Sequence, residues 1–330
     1  YCKLMCGIAG IIPKREVSYD LEQTMQHMLQ KISHRGPDGQ GIYHVPQTLI
    51  LGHTRLAILD LSQEGHQPMH SQDQKLTIVF NGEIYNYLEI KQQLLAKGYH
   101  FHTQTDTEVI LQAYRHWGFD CVQQFNGMWA FAILDKEQDL IFCSRDRFGV
   151  KPFYFINQEE HFVFCSELKG LLPFLNQKIA DQNLIIDFLL TQKTDHTNHT
   201  FFKNIVKLPA SHHLIYHLKT HKYQLQRYYE LKPKTNALAQ DYIPLLEDAV
   251  KLRLRSDVPV GTCLSGGLDS SSVASLAASL SKHKQFDAIT AISEQASNDE
   301  SHFASEVVSH CDLNWHTIKP DYSDFLNVIN

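Results

Sequence analysis

The first 230 residues contain many short apolar runs, a pattern that predicts strands rather than long helices. The run from Cys6 to Ile12 ends at Pro13 and predicts a buried strand. Further strands are predicted at 48–59, 75–81, 128–135, 139–144, 152–156 and 161–165. Short polar connections at 136–138 and 157–160 predict antiparallel hairpins.

Helical spacing of apolar residues is found at three places in the same region. Asp20 is the predicted N-cap of the first helix, whose apolar stripe is Leu21, Met25, Met28, Leu29 and Ile32. Two further helices are predicted at 87–97 and 107–117. Many strands with few helices between them predict stacked antiparallel sheets with helices outside.

The pattern changes at the polar stretch 232–236, which we interpret as a linker between domains at 6–231 and 237–330. Beyond it, strands predicted at 258–264, 286–293 and 314–319 alternate with helices at 238–255, 269–282 and 300–311. Another helix is predicted to begin at Ser323. Alternation at this spacing predicts right-handed crossovers and a parallel α/β sheet.

Composition narrows the classes of partner. The 30 Lys and Arg residues against 36 Asp and Glu give a net charge of −6, which argues against a nonspecific nucleic-acid binder. Because no apolar run reaches the ~18 residues of a membrane span, we expect no membrane partner either. Seven cysteines without C-x-x-C spacing favour reduced thiols and a cytoplasmic location.

Three histidines, His212, His213 and His217, lie in a strand-like stretch and raise the question of a metal site. They have no Asp, Glu or Cys at ligand spacing. We therefore interpret them as core or solvated histidines.

The segment Ser265–Ser271, with the sequence SGGLDSS, follows a predicted apolar strand and opens a predicted helix. Gly266 and Gly267 would let the backbone turn tightly and approach a ligand closely. The helix N-terminus would offer free N–H groups to an anion, and the Ser265 and Ser270 hydroxyls would add donors. A glycine-rich turn with an Asp/Ser helix cap is the alternative, but the position between strand and helix favours phosphate binding. No Gly-Lys-Ser/Thr follows at the spacing of a Walker A loop.

This loop resembles the pyrophosphate loop of ATP pyrophosphatases, and earlier motifs narrow the resemblance to the glutamine-hydrolysing asparagine synthetases, which are class II glutamine amidotransferases. The motifs follow the family's order: CGIAG at 6–10, HRGPD at 34–38, GHTRL at 52–56, GHQPM at 65–69, NGEIYN at 81–86, TDTE at 105–108 and RDRFGVKP at 145–152. The resemblance implies an N-terminal-nucleophile αββα glutaminase domain. The first part of a parallel α/β ATP-pyrophosphatase domain (adenine nucleotide alpha hydrolase-like) would follow it.

The resemblance implies the catalytic residues of glutamine hydrolysis. Cys6 would attack the side-chain amide of glutamine to give a glutamyl thioester and ammonia. The Asn81 side-chain amide and the Gly82 backbone N–H would stabilise the oxyanion. Taken singly, Cys6 also fits a buried strand cysteine, and Asn81-Gly82 fits a hairpin turn.

Charged residues of the same motifs would bind the substrate. By resemblance, Arg55 holds the α-carboxylate of glutamine, and Asp106 with Glu83 holds its ammonium group. The resemblance places Asn81 among the glutamine-binding residues as well. Singly, Arg55 and Asp106 also fit solvated charges or surface ion pairs.

The α-amine of an N-terminal cysteine has an ordinary pKa near 7.7–8.0, which suits a general base at neutral pH. Tyr1–Met5 precede Cys6, and an amide nitrogen is not a usable base. We therefore expect the chain as written to be impaired as a glutaminase. The hypothesis is that Met5 is the true start and is removed in the cell; a cleaved propeptide is the alternative.

The ATP site is implied by the same resemblance. Leu264 and Ile292, at the ends of neighbouring predicted strands, fall where the family holds the adenine ring. The loop residues that would bind ATP are Ser265, Gly266, Gly267, Asp269 and Ser270. Mg²⁺ is expected with the triphosphate. No protein ligand for it can be named, although Asp269 is close in sequence.

In the full reaction implied, ATP adenylates the aspartate β-carboxylate and ammonia displaces AMP to give asparagine. The family's downstream Ser-Gly-Glu-Gly-Ala-Asp-Glu-type segment is missing, so the synthetase domain is expected to be only partly present. Two alternatives stay open: another carboxylate acceptor, or a truncated chain with only glutaminase or binding activity. The expected partners are glutamine, ATP and the acceptor, and a homodimer is compatible with the resemblance.

Overall fold

The computed structural model describes residues 5–233, 238–281, 285–293, 295 and 299–329. The chain divides into two units, Tyr1–Lys232 and Pro233–Asn330. The predicted linker falls at this division, although its residues 234–236 lie outside the described residues. No described helix is both long and apolar enough to span a bilayer.

The first unit is rich in strands, as the apolar pattern predicts. Its strands are β1 (Gly7–Pro13), β2 (Gly39–Val45), β3 (Leu49–Arg55), β4 (Met69–His70), β5 (Leu76–Ile84), β6 (Gly127–Asp135), β7 (Leu140–Arg145), β8 (Tyr154–Asn157), β9 (His161–Cys165), β10 (Val206–Lys207), β11 (His212–His217) and β12 (Lys222–Arg227). Its helices are α1 (Leu21–Lys31), α2 (Tyr87–Leu95), α3 (Asp106–Trp117), α4 (Cys121–Gln124), α5 (Leu168–Leu171) and α6 (Gln182–Thr191).

These strands form two antiparallel sheets. One has the order β10-β8-β9-β1-β3-β2 and the other the order β12-β11-β7-β6-β5-β4. The hairpins predicted at 136–138 and 157–160 are confirmed, because β6 pairs antiparallel with β7 and β8 pairs antiparallel with β9.

Side chains alternate between the two faces of each strand. Each sheet therefore packs on both faces, and the first unit has four layers. In β6, Trp129 and Phe131 belong to the core beneath α2 and α3, whereas Ala130 and Ala132 belong to the core between the two sheets. Successive strand residues point to opposite faces, so one strand contributes to both cores. The outer face of the other sheet packs against α1 and α5. The order helix, sheet, sheet, helix confirms the predicted αββα architecture.

Helix α1 forms as its sequence predicts. The Asp20 side chain accepts hydrogen bonds from two backbone N–H groups of the first turn, at 2.8 and 3.3 Å. Such a cap contributes about 1 kcal/mol. Met25, Met28 and Leu29 are buried against the sheet, so the stripe is core packing.

Several predicted bounds are wrong. The strand expected at 48–59 ends at Arg55, because the chain turns there and the Ala57 N–H donates to the Asp38 carboxylate at 2.8 Å. The strand expected at 75–81 continues to Ile84. Strands β2 and β12 and helix α6 were missed. All six residues of β12 are exposed, including Tyr223 and Leu225, and α6 also leaves apolar side chains in solvent.

The second unit contains α7 (Tyr242–Arg253), β13 (Gly261–Cys263), α8 (Leu268–Leu280), β14 (Asp287–Ala291), α9 (Ser301–Cys311), β15 (Asn314–Ile318) and α10 (Tyr322–Ile329). Its strands pair in parallel in the order β13-β14-β15, which confirms the predicted parallel α/β sheet. Strand β13 is shorter than the predicted 258–264, since Pro259 cannot donate a ladder hydrogen bond.

Candidate active site

A cavity of about 60 Å³ in the first unit lies where the ends of several strands meet the start of α3. The chain reaches it from segments that are far apart in sequence. All six residues that the sequence associates with glutamine hydrolysis line this cavity: Cys6, Arg55, Asn81, Gly82, Glu83 and Asp106.

Cys6 lies immediately before β1 and is half-buried at the cavity wall. The Leu56 N–H donates a hydrogen bond to its Sγ at 3.3 Å. Burial raises the pKa of the Cys6 thiol, while the Leu56 hydrogen bond and the charge of Lys151 act in the opposite direction. The thiol form therefore predominates at neutral pH, and a nucleophilic Cys6 needs help to lose its proton.

Asn81 and Gly82 lie inside β5 and pair with Ala130 and Trp129 of β6. The hairpin-turn alternative is thus wrong for this Asn-Gly pair. Asn81 has no solvent-exposed surface, and neither its Oδ1 nor its Nδ2 has a hydrogen-bond partner among the described residues. A Cβ at Gly82 would come within 2.1 Å of the Met128 carbonyl oxygen, so this position requires glycine.

Asp106 is the first residue of α3 and is buried, which excludes a surface ion pair. Its Oδ2 accepts a hydrogen bond from the Ile84 N–H at 2.9 Å. Burial, together with the negative charge of Glu83, raises the pKa of Asp106 to about 7. Burial also raises the pKa of Glu83, against the opposing effect of Lys151. A bound cation would stabilise the ionised forms of these two carboxyl groups.

Arg55 ends β3 and is also buried. Its Nη1 donates to the Ser62 carbonyl at 2.7 Å, and its Nη2 donates to the Asp60 carbonyl. These bonds attach the guanidinium to the loop that closes one side of the cavity. Arg55 is therefore not a solvated surface charge.

Sequence reasoning missed four polar residues of the cavity, although all lie inside recognised motifs: Gln67, Thr105, Thr107 and Lys151. Gln67 accepts a hydrogen bond from the Phe80 N–H at 2.6 Å, directly before Asn81. Lys151 lines the cavity with only 4% of its surface exposed. The signal that could have found Lys151 is its place in the motif at 145–152.

Arg35 fixes the backbone on both sides of the Met5–Cys6 peptide bond. The Met5 N–H donates to the Arg35 carbonyl at 2.8 Å, and the Arg35 Nε donates to the Cys6 carbonyl at 3.0 Å. The Arg35 Nη1 also forms an ion pair with Glu167 at 2.9 Å. The position of Cys6 is thus set by a buried arginine.

In the second unit, the loop before α8 contains Gly266 at φ +91°. The hydroxyl oxygens of Ser265 and Ser270 lie 3.0 Å apart, and the Ser270 hydroxyl donates to the Gly267 carbonyl at 3.1 Å. Asp269 is exposed in the first turn of α8. The loop therefore presents hydroxyl groups and a helix N-terminus to solvent.

Leu264 and Ile292 follow β13 and β14 directly, at the carboxyl ends of neighbouring parallel strands. The Leu264 N–H donates to the Ile289 carbonyl at 2.9 Å, and the Ile292 N–H donates to the Ile318 carbonyl at 2.8 Å. Leu264 is buried. This edge of the sheet is the usual ligand-binding edge of such folds.

Within the described residues, no group of three or more His, Cys, Asp or Glu side chains could hold a metal ion. His213 in β11 is a core residue with 3% exposure, and its Nε2 lies 3.2 Å from Gln226 Oε1. His217 at the end of the same strand is exposed.

Comparison with known proteins identifies the family to which this chain belongs. Residues 5–229 match the family model described as the glutamine amidotransferase domain. The chain belongs to this family. Residues 242–330 of this amidotransferase chain match the model described as asparagine synthase.

The similar curated proteins are longer than this amidotransferase. A putative asparagine synthetase [glutamine-hydrolyzing] 2 of Methanocaldococcus jannaschii is 45% identical over 294 residues, which cover 82% of this chain and 56% of that protein. Asparagine synthetase [glutamine-hydrolyzing] 1 of Bacillus subtilis is 35% identical, with 83% and 44% covered. Amidase chyE of Penicillium rubens is 33% identical, with 84% and 43% covered. The chain thus spans about half the length of the relatives it matches.

Among solved structures, glutamine phosphoribosylpyrophosphate amidotransferase from B. subtilis, complexed with ADP and GMP, is similar with a TM-score of 0.51. The identity is 16%, and the match covers 98% of this chain and 71% of that one. At this identity the likeness shows the fold alone, and it agrees with the αββα layers of the first unit.

Proposed function

We propose that this amidotransferase releases ammonia from glutamine at Cys6 and belongs to an ATP-dependent synthesis of asparagine from aspartate. The family, the asparagine synthase match at 242–330 and the named relatives support this proposal. The proposed domain limits, 6–231 and 237–330, agree with the division of the chain at Lys232.

The observation that carries the proposal is the unpartnered amide of Asn81. A fully buried amide without a hydrogen-bond partner is costly, so such a group is retained where a ligand completes it. Asn81 lines the same cavity as the Cys6 thiol. Its Nδ2, with the Gly82 N–H, would donate to the oxyanion that forms when Cys6 attacks an amide carbonyl.

The reaction then proceeds in two halves. Cys6 Sγ bonds to the amide carbon of glutamine while its proton passes to a base; the C–N bond breaks, the nitrogen takes up the proton, and ammonia leaves a glutamyl thioester. Water then cleaves the thioester to glutamate and restores the thiol. The α-amine of Cys6 is the proposed base, which requires Cys6 to be the first residue of the active chain.

Charge complementarity supports a proposed orientation of glutamine in the cavity. Asp106 and Glu83, both destabilised as anions by burial, would bind the ammonium group of glutamine. Arg55 would exchange a carbonyl partner on the neighbouring loop for the α-carboxylate.

The second unit is the proposed ATP site. The exposed hydroxyls of Ser265 and Ser270, the backbone at Gly266 and Gly267 and the start of α8 would bind phosphate oxygens. Asp269, exposed in the first turn, offers a carboxylate oxygen, a donor that Mg²⁺ prefers. When bound with ATP, Mg²⁺ would supply charge neutralisation at the phosphates.

The proposal also includes a cytoplasmic location and a homodimer. The six described cysteines are all free thiols, which suits a reducing compartment. The dimer rests on the family resemblance and is tested by measuring the mass of the protein in solution.

The acceptor is the less constrained part of the proposal, because relatives of comparable similarity carry the name amidase as well as asparagine synthetase. Another carboxylate is therefore the alternative acceptor. ATP-dependent pyrophosphate release, measured with aspartate and a panel of other carboxylates on the full-length protein, separates the two.

The glutaminase proposal is tested by Cys6→Ala in protein that begins at residue 6. Loss of the nucleophile should lower ammonia release from glutamine by at least about 10³-fold. Cys263→Ala is the matched control, because Cys263 is a free and exposed thiol outside the first unit. Unchanged ammonia release in the Cys6 variant would overturn the proposal, and a parent protein without any release would favour a binding module.

A further inference from the structure

Lys151 is a buried cation in the glutamine cavity whose role the proposed reaction leaves open. Its backbone N–H donates to Asp146 Oδ2 at 2.9 Å, and its carbonyl accepts a hydrogen bond from Arg145 Nε at 2.8 Å. Both backbone groups of Lys151 are therefore held by side chains, so the position of the residue is fixed.

The same two side chains fix the whole turn that carries Lys151. The Asp146 carboxylate also accepts backbone N–H groups of Phe148 and Val150 at 3.1 and 3.0 Å. Arg145 also donates to the Gly149 carbonyl at 2.7 Å. Asp146 thus has its acceptors occupied by the backbone and is not available as an ion-pair partner for the Lys151 ammonium.

The ammonium itself is poorly compensated. Its hydrogen bond goes to the Met5 thioether, with 2.8 Å between Nζ and Sδ, and sulfur is a weak acceptor. In the described part of the chain, no carboxylate forms an ion pair with it. A buried ammonium with only this partner is costly, which indicates that the charge is retained for another purpose.

Cys6 is the group in this cavity that gains from the charge. It follows Met5 directly, and both line the cavity with Lys151. The charged groups acting on Cys6 are Lys151 and Arg55, which favour the thiolate, and Asp106, which opposes it. Lys151 has the largest of these effects.

The groups that face Lys151 in turn are Glu83, Cys6, Arg35 and Asp146. Burial lowers the pKa of Lys151, while the acidic groups among these raise it. Glu83 is itself a carboxyl group whose pKa is raised by burial, so its negative charge only partly neutralises the ammonium. At the Cys6 thiol, two cations, Lys151 and Arg55, oppose one carboxyl group, Asp106.

We infer that Lys151 is a positioning residue for the Cys6 nucleophile: its buried ammonium stabilises the negative charge that develops on Sγ when the thiol loses its proton inside the cavity. The inference rests on the proposed function, since it assumes that Cys6 is the reacting group. The inference also explains why hydrogen bonds from Asp146 and Arg145 fix the backbone of residue 151.

The test is the pH dependence of Cys6 alkylation by iodoacetamide in the full chain, measured by peptide mass spectrometry. Lys151→Met removes the charge with little change in length, and it should shift the midpoint for Cys6 upward by about one pH unit. Alkylation at pH 7 should slow about tenfold. Lys151→Arg should restore the midpoint and Lys151→Gln should reproduce the shift.

Lys75→Met is the matched control, because Lys75 is an exposed cation paired with Glu137. A structural role for Lys151 would alter exposure without moving the midpoint. An unchanged midpoint in both neutral variants would overturn the inference. Because iodoacetamide requires only the thiol, this result is independent of whether Cys6→Ala abolishes ammonia release, so the inference and the proposed function can fail separately.

Discussion

The cavity around Cys6 in the first unit and the loop at 265–271 in the second unit are built in opposite ways. The cavity combines side chains from distant segments. It buries Asn81, whose amide has no hydrogen-bond partner among the described residues, and Asp106, whose pKa is raised. The loop is one contiguous segment whose hydroxyls bond within the segment and face solvent. The fold brings the side chains of the cavity together, whereas the shape of the loop is set by its own backbone. Side-chain substitutions should therefore impair the cavity most, and substitutions that change the backbone should impair the loop most.

The largest effect expected in this comparison follows substitution of Asn81. Asn81→Ala removes the side-chain donor of the proposed oxyanion site, and kcat for ammonia release should fall about 10²–10³-fold. The KM for glutamine should change little, because the donor acts mainly in the transition state. Steady-state kinetics of ammonia release measure both constants.

Two further variants test whether the loss of activity comes from the missing N–H donor. Asn81→Asp has nearly the same shape without the N–H donor and should be as inactive as the alanine variant. Asn157→Ala, at the exposed end of β8, is the matched surface control and should keep full activity. A rise in KM with an unchanged kcat would contradict an oxyanion role and would place Asn81 among the binding groups.

A backbone change is the corresponding test of the glycine loop. Gly266 has φ +91°, and a Cβ there would lie 2.7 Å from the Cβ of Phe303. Gly98 has a similar φ of +87°, with nothing within 4 Å of the added atom. Gly98→Ala should therefore lower the free energy of unfolding by about 1 kcal/mol through backbone strain alone. Gly266→Ala should lower it by about 3 kcal/mol through strain and overlap together.

Hydrogen exchange of peptides from each unit measures these two changes separately. Equal losses for the two variants would show that α9 adjusts to the added methyl group. The loop would then depend less on close packing beneath Gly266 than its geometry indicates.

The same contrast explains what the sequence could predict. The four-layer fold follows from two-residue alternation, as in β6, and the parallel sheet follows from alternating strands and helices. The six cavity residues were found because they lie in recognisable motifs. The burial of Arg55 and Asp106 was not predictable, because singly each resembles a surface charge.

Lys151 shows why the rest of the site could not be predicted from the sequence. Nothing in its local sequence indicates that the side chain is buried. Its burial depends on Asp146 and Arg145, whose hydrogen bonds bend the backbone into the cavity wall. Hydrogen bonds between side chains and a nearby turn leave no periodic pattern of apolar residues. The same holds for Asn81-Gly82, which resembles a turn and instead lies in a central strand.

The smallest expected effect is the pH dependence set by Asp106, which acts by binding the substrate's ammonium group. Since the pKa of Asp106 is about 7, its carboxylate is progressively protonated below that pH, and kcat/KM for glutamine should fall towards tenfold per pH unit. Asp106→Asn should lower kcat/KM and make this decline less steep, because the remaining decline then reflects only protonation of the proposed base, the Cys6 α-amine. A wild-type profile that is flat between pH 5 and pH 7 would contradict the assignment.

Stability provides the independent check of Asp106. An acid whose pKa is near 4 when unfolded and about 7 when folded favours the folded state below pH 4 and loses that contribution as the pH rises to 7. Asp106→Asn should therefore gain stability relative to wild type between pH 5 and pH 7. Asp73 is the opposite control: it is exposed, and a small desolvation effect that raises its pKa is outweighed by hydrogen bonds from Ser71 and Arg115, which lower the pKa to about 2. Asp73→Asn should lose stability by an amount that is constant over the same pH range. Thermal unfolding of both variants therefore distinguishes a buried carboxyl group with a raised pKa from an ion-paired one with a lowered pKa.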